Sequence, residues 1–280
     1  MDIKILGQVF TPQNIVNDIL DVSGYFGEQI LKKHVIDNSC GDGAFLIGFL
    51  KRYIDEYIKA NGSLENIKED LETYIHGVEI DKKIYENCIN KLNKFVNKYD
   101  IYDINWDILN ANCFDVTKYN GKIDYVIGNP PYVRVHNLSD QYENCKKYSF
   151  CTSGMIDLYI VFYEIGLKMM SEDGVLCYIT PNSFYNSLAG STLRNYLKEK
   201  QNMELIMDLG HYQPFIVNTY TTICKICNNQ IFDSCKYYKY DIETQIPKYI
   251  CDINYDDLFI DNKIILSTNN YLKVQYIERN

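Results

Sequence analysis

Three short stretches of this chain combine residue types that can do chemistry, and each follows a β-branched run. The first is Gly128-Asn129-Pro130-Pro131-Tyr132. Consecutive prolines fix the backbone and remove two amide donors, so the carbonyls remain as acceptors. The Asn129 side-chain oxygen and the Pro130 carbonyl can each accept one hydrogen of a planar –NH₂ group. Those bonds oppose delocalisation of the nitrogen lone pair into the ring and aim it at an electrophile. Tyr132 offers a flat face on which a planar substrate can stack. Standing alone, the same segment is also what a rigid loop without catalytic duty looks like.

The second stretch is Asp37-Asn38-Ser39-Cys40-Gly41-Asp42-Gly43-Ala44-Phe45. Gly41 and Gly43 permit a tight turn and close approach of a ligand to the backbone, and the following helix presents its first amides. A plain β–α turn can use two glycines in the same way. The full Gly-x-Gly-x-x-Gly pattern is absent and no Gly-Lys-Ser/Thr occurs, which argues against nicotinamide cofactors and nucleoside triphosphates. The third stretch, Gly77-Val78-Glu79-Ile80-Asp81, ends a strand on an acid placed to accept both hydroxyls of a ribose. Glu79 suits that role, while Asp81 can equally cap the next helix. Together the turn and the acid predict an adenosyl ligand without phosphates.

The elements that must position these residues alternate. Lys33–Asp37, Tyr74–Glu79, Asp124–Gly128, Gly174–Thr180, Met203–Leu209 and Tyr220–Ile226 read as strands, the last of these closing the series. Helical periodicity runs from Ala44 through Tyr57, Lys82 to Val96, Asp157 to Met170 and near Ser191–Lys200. This alternation predicts an α/β fold with a mostly parallel sheet covered on both faces, whose ligands bind beyond the carboxyl ends of the strands. Residues 139–154 read as a mobile loop, and the pattern weakens after about Asn228. The expected division is a catalytic domain over 1–228 and a stub or partner-docking segment over 229–280.

With 46% hydrophobic and 23% charged residues the composition is globular rather than disordered. Met1-Asp2-Ile3-Lys4 begins no basic, apolar leader, and no apolar run reaches the ~18–20 residues of a membrane span. A soluble, cytoplasmic protein is expected. The ten cysteines lie in apolar segments and read as reduced core residues. Cys224-Lys225-Ile226-Cys227 has the spacing of half a zinc site, but no second pair accompanies it, so no metal is expected. The net charge of −9 opposes binding to a polyanion. A local basic patch or another polypeptide must then supply most nucleic-acid affinity.

On these motifs the chain resembles the N6-adenine DNA methyltransferases of restriction–modification systems, in the group whose catalytic domain precedes a target-recognition domain. Gly7-Gln8-Val9-Phe10-Thr11-Pro12 matches the group's N-terminal motif, which implies Thr11 as a contact to the cofactor carboxylate. Asp37 through Phe45 matches the first cofactor loop, Glu79 the ribose acid and Asn129 through Tyr132 the catalytic motif. Asp157-Leu158-Tyr159 and Tyr178–Phe184 follow the pattern, and Phe215 falls where the family places an aromatic against the other face of a flipped adenine. The resemblance covers roughly residues 5–228 in unbroken motif order. It implies a Rossmann-like, class I S-adenosylmethionine-dependent fold with a seven-stranded sheet.

There are departures. Asn38 replaces the usual proline, with little effect expected. The family's acceptor for the cofactor adenine is an aspartate within Asn110-Ala111-Asn112-Cys113-Phe114-Asp115. Spacing points to Asn112, with Cys113 and Phe114 beside the adenine; chemistry points to Asp115. The chain also ends where a recognition domain is expected to begin. The resemblance implies direct in-line methyl transfer, and the absence of any Pro-Cys pair removes the cysteine-nucleophile route of C5-cytosine methylation. Rival readings are a methyltransferase acting on protein glutamine or RNA adenine, which shares the four-residue motif, and a non-catalytic subunit. The expected partners are duplex DNA with its target adenine flipped out and a second polypeptide, docking on a tyrosine-rich surface around Tyr237–Tyr240 and Tyr249–Leu258. No membrane partner is expected.

Overall fold

A computed structural model of the chain describes residues 11–134, 144–212, 214–215 and 219–266. Strands β1 (Val35–Asp37), β2 (Ile75–Glu79), β3 (Asp107–Asn110), β4 (Ile123–Gly128) and β5 (Met170–Pro181) form a parallel half-sheet. β6 (Met203–Asp208), β7 (Thr221–Cys227), β8 (Ser234–Asp241) and β9 (Ile246–Asn254) complete it. The order is β3-β2-β1-β4-β5-β7-β6-β8-β9. β7 runs antiparallel to β5 and β6, and β9 antiparallel to β8. A small hairpin, β10 (Phe259–Ile260) with β11 (Lys263–Ile264), lies apart.

Helices α1 (Gln13–Ser23) and α2 (Ala44–Asn61) pack on one face. After α3 (Ile67–Tyr74), helix α4 (Lys82–Val96) joins the same core through Cys88, Leu92 and Val96. The other face is covered by α5 (Leu158–Met169) and α6 (Ser191–Lys200), with the short α7 (Tyr255–Leu258) at its edge. α1 buries Ile15, Val16, Ile19 and Leu20, a one-sided stripe, and Gly24 at φ 83° closes it. The Asp81 carboxylate caps α4 by accepting from the amides of Lys83 and Ile84, at 2.9 and 3.0 Å. α2 starts at Gly43, and among the described residues no side chain caps it.

Two expectations are corrected here. Among the described residues the main sheet has nine strands rather than seven, and the strand ending at Cys227 is followed by two more of them. Ser-Cys-Lys-Tyr-Tyr-Lys-Tyr-Asp looks polar in sequence, yet Cys235, Tyr237 and Tyr240 are buried because β8 lies beside β6, with Leu205 opposite Lys236. For the same reason the tyrosine-rich surface is largely core: Tyr237, Tyr240, Tyr255 and Leu258 are at most 5% exposed, against 49% for Tyr249. A tyrosine buries its ring and needs only one polar contact, so its count in a sequence does not separate the two cases. Tyr255, for example, exchanges hydrogen bonds with the backbone of Met203 at 2.7 and 2.9 Å.

The loop expected to be mobile falls partly outside the described residues, at 139–143. Its remainder is packed: the buried Glu164 of α5 accepts from the Phe150 amide at 2.9 Å and the Ser149 hydroxyl at 3.1 Å.

Candidate active site

Because β1, β2, β4 and β5 are parallel, their carboxyl ends meet on one rim, and the three chemical stretches arrive there together. Asp37 closes β1, only 2% exposed, with Oδ1 accepting from the Ser39 amide at 3.1 Å. A Cβ at Gly128 would stand 2.5 Å from that oxygen, so glycine is what lets β4 pass beside the carboxylate. Burial, reinforced by the nearby Glu79 charge and only partly offset by the Ser39 amide, pushes Asp37 up to about 8. Glu79 closes β2, accepting from Gly41 N at 3.0 Å and Asp81 N at 2.8 Å. Burial raises its carboxyl as well, against the pull of those amides.

The two glycines differ. At Gly43 (φ 89°) a Cβ would meet Cys88 Sγ at 2.8 Å, so that glycine lets α2 pack on α4. At Gly41 (φ 53°) a Cβ would meet nothing within 4 Å, and open space lies above the backbone. That space, the uncapped start of α2 and the Glu79 carboxylate form a cradle that fits an adenosyl group: amides below, a buried acceptor for ribose hydroxyls at the side. The Ala111 amide bonds the Glu79 carbonyl at 3.1 Å, which brings Asn112 next to the cradle. Asn112 Oδ1 caps the turn Cys113–Asp115 by accepting from the Phe114 amide at 3.1 Å. Cys113 is buried, Phe114 packs against Tyr148 and Phe162, and Asp115 is exposed.

Asn129 lies directly after β4. Its Nδ2 donates to Thr11 Oγ1 at 3.1 Å, and its carbonyl accepts from the Ser39 hydroxyl at 3.3 Å. The catalytic loop is thus tied to the N-terminal motif and to the first cofactor loop. Gly7 through Phe10 of that motif lie outside the described residues. Pro130 is buried, and the Tyr132 hydroxyl donates to the Ile179 carbonyl of β5 at 3.2 Å. Phe215 stands edge-on to Tyr132, with centroids 5.9 Å apart and planes at 79°. Two faces that sandwich a base are parallel and about 7 Å apart, twice an optimal carbon–carbon separation. Here the two rings touch each other instead, and the slot between them is shut.

Sequence reasoning missed three supports. Ser39 anchors the Asn129 carbonyl, Gly128 makes room for Asp37, and Asn38 is not idle. Asn38 is 1% exposed and accepts from the Tyr178 hydroxyl of β5 at 3.0 Å, a bond that a proline cannot make. Cys224 and Cys227 are three apart on β7 and therefore point to opposite faces, as core side chains.

The Eco57I restriction-modification methylase model matches residues 31–215, which contain β1 through the loop carrying Phe215. The chain belongs to the Eco57I restriction-modification methylase family. It is 31% identical over 225 residues to the Type II methyltransferase M.BstVI of Geobacillus stearothermophilus, covering 76% of this chain and 40% of that protein. To the Type II restriction enzyme and methyltransferase RM.Eco57I of Escherichia coli it is 26% identical, over 91% of this chain and 31% of that one. This family member thus spans about a third to two-fifths of the length of these curated relatives. Among solved structures it resembles the Type ISP restriction-modification enzyme LlaGI in complex with a DNA substrate mimic. The TM-score is 0.68 at 18% identity, over 95% of this chain and 32% of that one. The fold is that of class I S-adenosylmethionine-dependent methyltransferases, and S-adenosylmethionine is the cofactor of the family's fold. Among the described residues no helix is long and apolar enough to cross a membrane.

Proposed function

We propose that this restriction-modification methylase transfers a methyl group to N6 of adenine in DNA. The observation that carries the reading is the position of Asn129-Pro130-Pro131-Tyr132 at the end of β4, hydrogen-bonded to Thr11 and Ser39 and one residue from the Gly128–Asp37 contact. S-adenosylmethionine supplies the electrophilic methyl group. Glu79 and the amides that open α2 hold the adenosyl part, and Thr11 faces its carboxylate. Asn112 is favoured over the exposed Asp115 as acceptor for the cofactor adenine because Ala111 docks on Glu79. Asn129 and the Pro130 carbonyl orient the target amino group, and the nitrogen attacks in line without a covalent enzyme intermediate. Proximity and orientation then provide most of the acceleration.

Tyr132 and Phe215 take the flipped base between their faces, so base entry requires Phe215 to turn from its edge-on contact. Flipping costs a few kcal/mol that duplex contacts must offset. The net charge of −9 and the greater length of the relatives support a further polypeptide segment or subunit that supplies DNA contacts. Without it, duplex binding is expected near the non-specific range of ~10⁻⁴–10⁻⁶ M. The experiment is methylation of unmethylated genomic DNA with methyl-labelled cofactor, followed by digestion to nucleosides. Label in N6-methyldeoxyadenosine is the expected result. Label only in N4-methyldeoxycytidine, or no label in DNA while parallel incubations with RNA or protein become labelled, overturns the adenine reading.

A further inference from the structure

Most buried hydroxyls at the carboxyl ends of β5 and β6 have partners. Thr222 Oγ1 accepts from the Tyr185 hydroxyl at 2.7 Å and donates to the Met207 carbonyl at 3.0 Å, and Thr180 Oγ1 meets the Tyr163 hydroxyl at 3.1 Å. Thr221 is the exception. It is 0% exposed, and its Oγ1 has no hydrogen-bond partner among the described residues. A buried hydroxyl without a partner is costly to keep, while valine has nearly its shape without that cost.

Its place in the fold is informative. Thr221 opens the antiparallel β7, so it stands at the carboxyl ends of the strands on either side, opposite Pro181 of β5. Side chains alternate along a strand, so Thr221 shares its face with Ile223. Ile223 and its register partner Ile179 belong to the core that contains Phe215 and packs Tyr132. The Tyr132 hydroxyl bonds the Ile179 carbonyl, two residues before Pro181 on the same strand. Thr221 therefore lies one step closer to the rim than the residues under the two rings. When those rings part to admit a base, this is the part of the sheet that borders the opening.

We propose that Thr221 forms a wall of the target-base pocket and donates a hydrogen bond to a ring nitrogen of the seated adenine. The inference rests on the adenine reading above. Adenine's ring nitrogens are acceptors only, which a hydroxyl donor suits, and the bond would satisfy in the loaded pocket a group left unsatisfied in the shut one.

The test uses the full chain as wild type, Thr221→Val and Thr221→Ser. Three quantities are measured: transfer of labelled methyl to unmethylated genomic DNA, S-adenosylhomocysteine affinity by calorimetry, and thermal midpoint. Thr221→Val is expected to lower kcat/KM for DNA about 10- to 100-fold, as loss of one hydrogen bond to substrate does. Its S-adenosylhomocysteine affinity should stay within about 2-fold and its midpoint should hold or rise, since the hydroxyl removed has no partner. Thr221→Ser should retain DNA methylation within about 3-fold. Equal methylation by wild type and Thr221→Val overturns this inference alone, as does a parallel loss of cofactor affinity or stability. A wild-type chain that binds S-adenosylhomocysteine but labels no DNA overturns the parent reading and this one with it.

Discussion

The two ends of the parallel half-sheet hold their carboxylates by opposite means. At the amino end, Asp107 of β3 accepts from His76 at 2.8 Å and is ion-paired with Lys118. Asp124 of β4 accepts from the His34 amide at 2.8 Å and faces Lys33 at 3.4 Å. Burial would raise the Asp107 carboxyl, but the hydrogen bonds from His76 and Lys118 outweigh it and hold it well below the usual range. At the carboxyl end, Asp37 and Glu79 are 2% and 5% exposed, and among the described residues their partners are backbone amides rather than cations. Both are shifted upward. One end is fastened by neutralised charge; the other holds buried negative charge whose neutralisation is left to a proton or a cationic ligand. Perturbed carboxyls gather where a site binds and acts, and the sulfonium of the cofactor is such a cation.

That contrast can be broken most decisively at Asn129. Replacing it with alanine should lower turnover by at least about 10²-fold, or about 2.7 kcal/mol of transition-state stabilisation, with cofactor affinity nearly intact. Single-turnover labelling beside calorimetry reads both quantities, and wild-type turnover in the variant would remove the catalytic assignment. Tyr132→Ala and Phe215→Ala should each cost ~1–3 kcal/mol of flipped-base stabilisation, seen as weaker binding of DNA carrying a mismatched target adenine.

A matched pair of variants sharpens the comparison. Glu79→Ala should weaken S-adenosylhomocysteine binding by ~1–3 kcal/mol in a calorimetric titration, as two ribose hydroxyls lose a charged acceptor. Asp107→Asn should instead lower unfolding free energy by about 1–3 kcal/mol in denaturant titration and leave cofactor binding alone. Cofactor loss in the second variant would mean that the two ends are not separable.

The last effect is on pH dependence, and the two ends have opposite signs. Asp37 has a folded value raised to about 8 from 3.8, so its contribution is fully present below about 4 and is lost as pH rises through about 8. Asp107 is depressed when folded, so its contribution is present above its unfolded value and is lost in acid as pH falls through the folded value. Relative to wild type, Asp37→Asn should gain stability between pH 6 and pH 9 and change little near pH 4. Denaturant midpoints across that range check the sign, and a variant with no pH-dependent gain would mean that folding does not raise the Asp37 carboxyl.

Much of the carboxyl end was legible in sequence because chemistry there needs rare combinations: consecutive prolines after a strand, paired glycines before a helix, an acid ending the next strand. The family resemblance supplied Thr11 and Phe215, which no local pattern singles out. What was illegible depended on contacts between distant segments. No spacing shows that Gly128 abuts Asp37, that Asn38 meets Tyr178 140 residues away, or that Phe215 stands edge-on to Tyr132. The β8–β9 extension was hidden because Lys236-Tyr237-Tyr238-Lys239-Tyr240 has no regular apolar period, so the buried Cys235, Tyr237 and Tyr240 do not read as a strand. The amino-end cluster of His34, His76, Asp107 and Lys118 was missed because its members come from separate elements: three lie at strand starts and Lys118 in the turn before β4.

The most direct test of the account is hydrogen exchange of the wild-type chain with and without S-adenosylhomocysteine. Protection is expected at residues 39–45, 79–81 and 112–115 and around Asn129, with amides near His34, His76 and Asp107 unchanged. Protection confined to the amino end, or saturating ligand that protects neither end, would contradict it.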